Sequence, residues 1–577
     1  MLAFSQLVLE PAEDSIGGFV GAVEAAEVLH EHGHRRGVAE VASVGPWGGS
    51  AGVARNSPGI GASRVAGLHR FPPGQRQLVV SLTTSEPWIT SRRYLRAAAG
   101  AVKPVKDRFG EPRWTMARER NVKLADAIAE TGWSQPKVAA AFVRVAAEVG
   151  AQELLGTSRS HIAMWVAGTQ PSGRAPLILC ETLSRRLQRP ITPAEIGLSV
   201  PEAGAVAASE WNVDTLTALV DLGRRDVDLE RRRLLAGAAY SVGGLALPGQ
   251  QWWDEAPQRA KSRQAATSRR IGTAEVSAVR EMTEFFSRRD QRHGGMDGRT
   301  ALYQYLVDDV ARYIGGVFTN DDTRRALLAA ASEAVYVAGW MSFDASHHEP
   351  ARRYFTLALK LAAEADDAPL AGHILRAMAH QATDLGHPQA AVDLATASVE
   401  RKRYTLATPR ERALLGVVQA RSLAADGQKR AAIAALLRAE DDLAAADAGD
   451  EDPSRVWFFQ RASLSHETAR TLWTLGDLDG ALREFNNSVL TRKADTFSRT
   501  HAVTLGYMGT VQARKGNVEA ACHTWAQALD AMEGVQSGRA REAAVNMRRV
   551  LSPFRNRGIS VAAEIDERAK TVLERVA

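Results

Sequence analysis

From about residue 116 onward, apolar residues recur at the three- and four-residue spacing of one face of an α-helix. Leu124, Ile128 and the alanines beside them predict a first amphipathic helix, ended at Thr131-Gly132. Ser134 is a favourable N-cap, and Pro136 falls in the first turn, where its missing N–H costs little; a second helix is expected to run to about Glu148. A short helix over 158–167 follows, and a further one from Ala175 to Leu187 is closed by Pro190. Residues 1–115 lack this rhythm. They hold 15 of the 47 glycines and breaks such as "GPWGGSAG" and "FPPGQ". The expectation is a poorly structured extension, with translation starting near Met116; the alternative is a small separate domain in which "RQLVVSLTT" (76–84) forms a strand. Residues 199–272 read as a linker with one helix around 213–240, and 273–577 as almost entirely helical.

The helical remainder repeats itself. "LGHPQAAVDLA" (385–395), "DGQKRAAIAAL" (426–436), "LGDLDGALREF" (475–485) and "KGNVEAACHTW" (515–525) share a helix end, a glycine turn and a new helix. The glycines at 386, 427, 476 and 516 are 41, 49 and 40 residues apart. "FDASHHEPARRYFTLAL" (343–359) is an earlier copy without the glycine. Glycine permits the positive φ that ends a helix, and alanines let the next helix approach closely. The pattern resembles degenerate tetratricopeptide repeats, whose usual period is about 34 residues. No heptad persists between the glycines, which argues against a coiled coil. The predicted fold is all-α: a helical bundle over 116–198, a linker over 199–272 and an α-solenoid of tetratricopeptide-like repeats over 273–577.

Candidate chemistry concentrates in "TSRSHIAMWVAGTQPSGRAPLILC" (157–180). On a helical wheel Ile162, Trp165 and Val166 fall together as a core face, while Ser160 and Met164 point away; Ser158, Arg159 and His161 lie at the helix start or on its flanks. A short helix with a polar first turn and an apolar back suits the DNA major groove. There Arg159 is suited to guanine, Met164 to a thymine methyl, and Ser158, Ser160 and His161 complete the reading set. The competing reading is an ordinary surface helix of a bundle.

"SQ" at 134–135 followed by "RSHIAMWVAGTQPS" at 159–172 resembles the Xre/Cro-type helix-turn-helix. Together with "SGRAPLILCETLSRRLQRPITPAEIGL" and "GWMSFDASHHEPARRYFTLALKLAAEA", it is similar to actinomycete helix-turn-helix regulators that carry C-terminal tetratricopeptide-like repeats, a family that includes regulators of sporulation and antibiotic production. The resemblance covers roughly 116–577. It implies phosphate contacts at Gln135, Thr169, Ser172 and Arg174 and double-stranded DNA as partner, which with a cysteine count that suits a reducing cytoplasm predicts a cytoplasmic, nucleoid-associated protein. It departs from the family in the stretch "AFVRVAAEVGAQELLG", which makes the second helix plus turn about a dozen residues longer than the simple motif.

Charge qualifies this picture. The whole chain carries +6, and residues 116–198 carry ten Lys/Arg against seven Asp/Glu, a net +3. So modest a charge predicts weak monomeric binding and favours a homodimer, with the repeats as dimer contact or protein-binding surface; the alternatives are a regulator whose repeat groove senses a small peptide or metabolite, and a repeat adaptor whose bundle does not bind DNA. Cys180 and Cys522 are too few for a disulfide framework or a zinc site. "ERRRLLAGAAYSVGGLALP" (230–248) imitates an export signal, but is internal and too short to span a bilayer, so no membrane association is expected. The common nucleotide-binding, zinc-protease and hydrolase motifs are missing, and "GIGASR" (59–64) lacks the last glycine of a dinucleotide fingerprint. "HHE" (347–349) reads as a solvated loop and His380 with Asp384 as a helix-surface pair, while His373 and His380 read as repeat-packing residues rather than ligands. No catalytic residue, cofactor or metal is expected.

Overall fold

The computed structural model describes residues 119–198, 210–232, 240–446, 451–554 and 560–575, and four strands in the N-terminal unit. The chain divides into two compact units, Met1–Ala117 and Arg118–Ala577. In the first, β1 (Ser5–Leu9) pairs antiparallel with β2 (Leu78–Leu82), and β3 (Val102–Lys106) with β4 (Pro112–Met116). The strand anticipated in 76–84 is thus β2; the other expectations for 1–115 lie outside the described residues.

The second unit opens with four helices: α1 (Val122–Glu130), α2 (Gln135–Glu148), α3 (Arg159–Val166) and α4 (Ala175–Leu187). Their shared core holds Leu124, Phe142, Ile162, Trp165, Ile178 and Leu183. Asn121 ties the ends together. Its side chain accepts from the Leu124 N–H and donates to the Ile196 carbonyl, both at 2.9 Å, while its own N–H donates to the Val166 carbonyl. Ser134 occupies the N-cap of α2 with extended backbone, but its hydroxyl makes no capping bond.

The expected linker is instead part of the main core. Helices α5 (Thr215–Arg232) and α6 (Gln250–Ser262) contribute Leu219, Leu222 and Ala260 to it; Trp211, Tyr240 and Leu245 are buried there too. Gly223 explains how closely α5 packs, because a Cβ there would lie 2.3 Å from a Val307 methyl. Residues 233–239 of the export-like stretch lie outside the described residues. Next come α7 (Thr273–His293), α8 (Arg299–Tyr305), a π-helical turn (Leu306–Val310) and α9 (Ala311–Ile314). A two-residue parallel pairing, β5 (Arg270–Ile271) with β6 (Val317–Phe318), is the only strand pairing among the described residues of this unit.

Six helical hairpins follow in a solenoid-like array: α10 (Asp321–Asp344) with α11 (His348–Glu364), α12 (Ala368–Asp384) with α13 (Pro388–Ser398), then, after α14 (Lys402–Thr405), α15 (Pro409–Ala425) with α16 (Lys429–Ala444), α17 (Arg461–Thr474) with α18 (Leu478–Thr491), α19 (Ser498–Arg514) with α20 (Val518–Ala531), and α21 (Gly538–Leu551) with α22 (Ser560–Arg575). One turn recurs. Gly386, Gly427, Gly476 and Gly516 have φ of 80°, 77°, 87° and 88°, and the residue after each donates its N–H to a carbonyl five residues back. The copy without glycine has the same turn, with Ser346 at φ 63° and the His347 N–H bonded to the Ser342 carbonyl at 2.8 Å. Helix α10 is long and apolar enough to cross a membrane, but 78% of its apolar window is buried among these helices, as suits a core helix.

The two ends of the array meet. Arg499, at the start of α19, donates to Asp290 of α7 at 3.1 Å and to Asp344 at the end of α10 at 2.8 Å. The Gln536 N–H donates to the His293 carbonyl, and the Met296 N–H to the Gln536 carbonyl. His380 is 2% exposed and packs between repeats as expected; Asp384, at the exposed end of α12, joins it in a cluster with Arg421 and Glu467, so the two are not a simple surface pair. "HHE" is likewise no solvated loop, since His348 sits against Phe343 and Glu349 is ion-paired with Arg352 at 2.8 Å.

Candidate nucleic-acid interface

Helix α3 is eight residues long and is anchored from behind. Ile162 is fully buried, Trp165 meets Phe142 at 5.4 Å between ring centroids, and Val166 closes the same face. This fixes which side chains look outward. Ser158, Arg159, Ser160, His161 and Met164 are all exposed, Met164 by 46%, and no other part of the described second unit covers them. Ser160 and Met164 lie at the centre of this face and Arg159 and His161 on its flanks, as the wheel predicts.

Two of the five carry a second task. The Ser158 N–H donates to His161 Nδ1 at 3.1 Å, and the Ser158 hydroxyl lies 3.1 Å from the same nitrogen. His161 thereby satisfies an otherwise orphaned donor at the start of α3, which requires Nδ1 to be an acceptor and leaves Nε2 as the outward nitrogen. Arg159 makes no such local commitment.

The phosphate set divides. Gln135 is half-buried at the first position of α2, Thr169 is half-buried just after α3, and Ser172 is exposed on the loop into α4. Arg174 is turned inward. Both its terminal nitrogens are in use: Nη2 reaches both Glu153 oxygens at 2.8 Å, and Nη1 donates to the Val149 carbonyl at 3.2 Å. Its side chain is 13% exposed. The arginine expected to hold a phosphate instead pins the start of α4 to the connection between α2 and α3. The residues in between explain why a pin is needed. Ten of them, 149–158, join the two helices, where a simple motif has a tight turn. Gly150 at φ 65° and a 3-10 turn at Gln152–Leu154 shape this connection. Glu153 was not singled out in the sequence, because nothing local marks an exposed glutamate as the partner of an arginine 21 residues later.

The bundle is fixed to the array through α4. Glu181 accepts from or shares a proton with His387 at 2.7 Å, and the two side chains are 1% and 2% exposed. Arg185 also donates to Glu181 at 2.8 Å, and Gln188 reaches the Gly386 carbonyl at 3.2 Å. The repeat turn at 386–387 is therefore the seat of the bundle. Residues 124–199, which are most of this bundle, match the family model described as the SP15 N-terminal domain. No curated protein matches the chain.

Proposed function

We propose that the chain is a sequence-specific DNA-binding transcription regulator of the cytoplasm, acting in development and secondary metabolism. The observation that supports this best is the outward face of α3: five polar or flexible side chains on a short helix held rigidly by Ile162, Trp165 and Val166, and left uncovered by the array. A helix of this length fits a major groove, where Arg159 can donate two bonds to guanine and Met164 can meet a thymine methyl. In this reading Gln135, Thr169 and Ser172 remain the phosphate contacts, and Arg174, its donors held by Glu153 and Val149, is left out of the set.

The bundle's charge supports only weak binding by one copy, so the active form in this reading is a homodimer on a two-part site, with the repeats supplying the contact. Mobility shifts of the full chain on genomic fragments, at two salt concentrations, test the proposal. Expected is retention of a small subset of fragments, weakened steeply by salt. Retention of every fragment alike, or of none, would leave a repeat adaptor whose bundle does not read DNA.

A further inference from the structure

The seam between the 210–262 segment and the array holds a cavity. Its volume is about 170 Å³, and it lies where the end of α6, the 263–265 stretch, the end of α9, β6 and the first turns of α10 come together. Ala260, Ile314, Phe318 and Leu328 give it an apolar wall. Lys261, Arg263, Gln264 and Arg324 supply its polar side chains, and no carboxylate lines it among the described residues. Room of this size takes a six-membered ring, since a cavity of about 150 Å³ holds a benzene molecule. Apolar walls with a few convergent polar groups are the usual make-up of a small-molecule site.

The polar groups fix the sign of the ligand. Arg263 is committed, to Glu364 at 2.9 Å and to Asp214 at 3.1 Å. Arg324 is not. Asp321 takes its Nη2 and is also the partner of Lys261 at 3.1 Å, so two lining cations share one carboxylate. The Arg324 Nε is unpaired but enclosed; Nη1 is left without an acceptor among the described residues on a side chain that stays 14% exposed, within reach of an incoming group. The excess persists further out. Lys261, Arg263, Arg324, Arg325 and Lys360 stand against Asp214, Asp321, Asp322 and Glu364, which leaves one positive charge over. The next carboxylates, Glu210 and Glu349, are matched by Arg352 and Arg353. Burial holds the Arg324 guanidinium below the ordinary arginine range, and Arg325 and Arg263 add to the effect, as befits a cation among cations. We propose that the cavity binds a compact monocarboxylic acid, its carboxylate accepting from Arg324 Nη1 and Lys261 and its apolar body, one ring in size, packing on Ile314, Phe318 and Leu328. A single excess charge calls for a monoanion, whereas a phosphate monoester would bring about two. None of these residues belongs to the bundle, so the site does not depend on the DNA-binding reading.

Titration calorimetry of the full chain with benzoate, benzamide, acetate and phenyl phosphate tests the proposal. Benzoate should bind best. Benzamide, which lacks the charge, and acetate, which lacks the ring, should each bind at least about tenfold more weakly. Phenyl phosphate should bind no more tightly than benzoate. Arg324→Gln shortens the side chain little but removes its charge; it should lower benzoate affinity about tenfold and leave benzamide where it was. Should that variant lose its cooperative melt, Lys261→Gln, at an exposed side chain, takes its place, with a severalfold loss for benzoate alone. Benzamide binding as well as benzoate, phenyl phosphate binding more tightly, no benzoate binding at millimolar concentration, or a charge variant that leaves benzoate unchanged or weakens both ring compounds alike would each overturn the assignment.

Discussion

At the scale of the residue, the most consequential side chain is Arg159, because it alone joins exposure on the α3 face with a fork of donors not spent on capping. Replacing it with alanine should relax sequence preference and cost roughly 1–3 kcal/mol on a cognate fragment, with little change on unrelated DNA. Competition binding of wild type and variant on both kinds of fragment gives the answer, and an unchanged preference would remove α3 from the reading role. A second residue-scale effect is purely conformational. A Cβ at Gly476 would meet nothing within 4 Å, so the cost of Gly476→Val comes from its φ of 87° alone. A β-branched residue resists that angle, and the loss should exceed about 1 kcal/mol in a denaturant melt. Ser346 gives the mirror case. It already bears the strain at φ 63°, so Ser346→Gly should raise stability or leave it level.

At the scale of the element, the long connection between α2 and α3 decides how α3 is presented. Arg174 and Glu153 close it across 21 residues, with the Val149 carbonyl as a third point. Arg174→Ala should therefore destabilise the bundle by about 1–2 kcal/mol, a modest figure because Glu153 is 58% exposed and solvent screens the pair. DNA affinity should fall along with stability. A variant that melts like wild type yet loses affinity uniformly across sequences would instead return Arg174 to the phosphates. The same scale shows what the repeat pattern conveyed. The four glycine turns were legible because a positive φ selects glycine, and the fifth was legible from the sequence around Ser346 despite the missing glycine. The role of 210–262 was not, since short segments rich in small and polar residues look alike whether they link or pack. Only the neighbouring helices bury Leu219, Tyr240 and Leu245.

At the scale of the whole molecule, buried histidines set the response to acid. Burial holds His348 down to about 3 and His380 to about 4, in both cases aided by arginine, and holds His373 and His466 well below the ordinary histidine range. Above pH 6.5 these groups are neutral both folded and unfolded, and their contribution is complete. As pH falls below 6.5 the unfolded chain takes up protons that the folded chain refuses, so stability drops until the folded values near 4 and 3 are reached. The gap for His380 alone corresponds to on the order of 3 kcal/mol. Asp290 and Asp226, raised by burial to about 7 and about 6, work in the opposite direction, as do Glu333 and Glu542, also raised by burial; Asp384 and Glu467, which Arg421 holds below the usual carboxylate range, act with the histidines. The melting temperature should fall between pH 6.5 and 4, and His380→Gln should flatten that dependence. A melting temperature that rises on acidification would show that the raised carboxyls dominate.

What the sequence determined by itself were the features written in local spacing: the four helices of the bundle, the outward set on α3, and the recurring turns of the array. Periodicity and backbone angle are properties of a few consecutive residues, and no distant partner is needed to read them. What only the tertiary structure decided were the pairings across long separations. Arg174 faces Glu153 and not solvent; His380 is enclosed by Arg421 and Glu467; Arg499 joins Asp290 to Asp344 across 209 and 155 residues. A charge carries no mark of its partner in the sequence. Whether it stays in water or is buried against an opposite charge is set by which helices fold over it, and that is a property of the packed array.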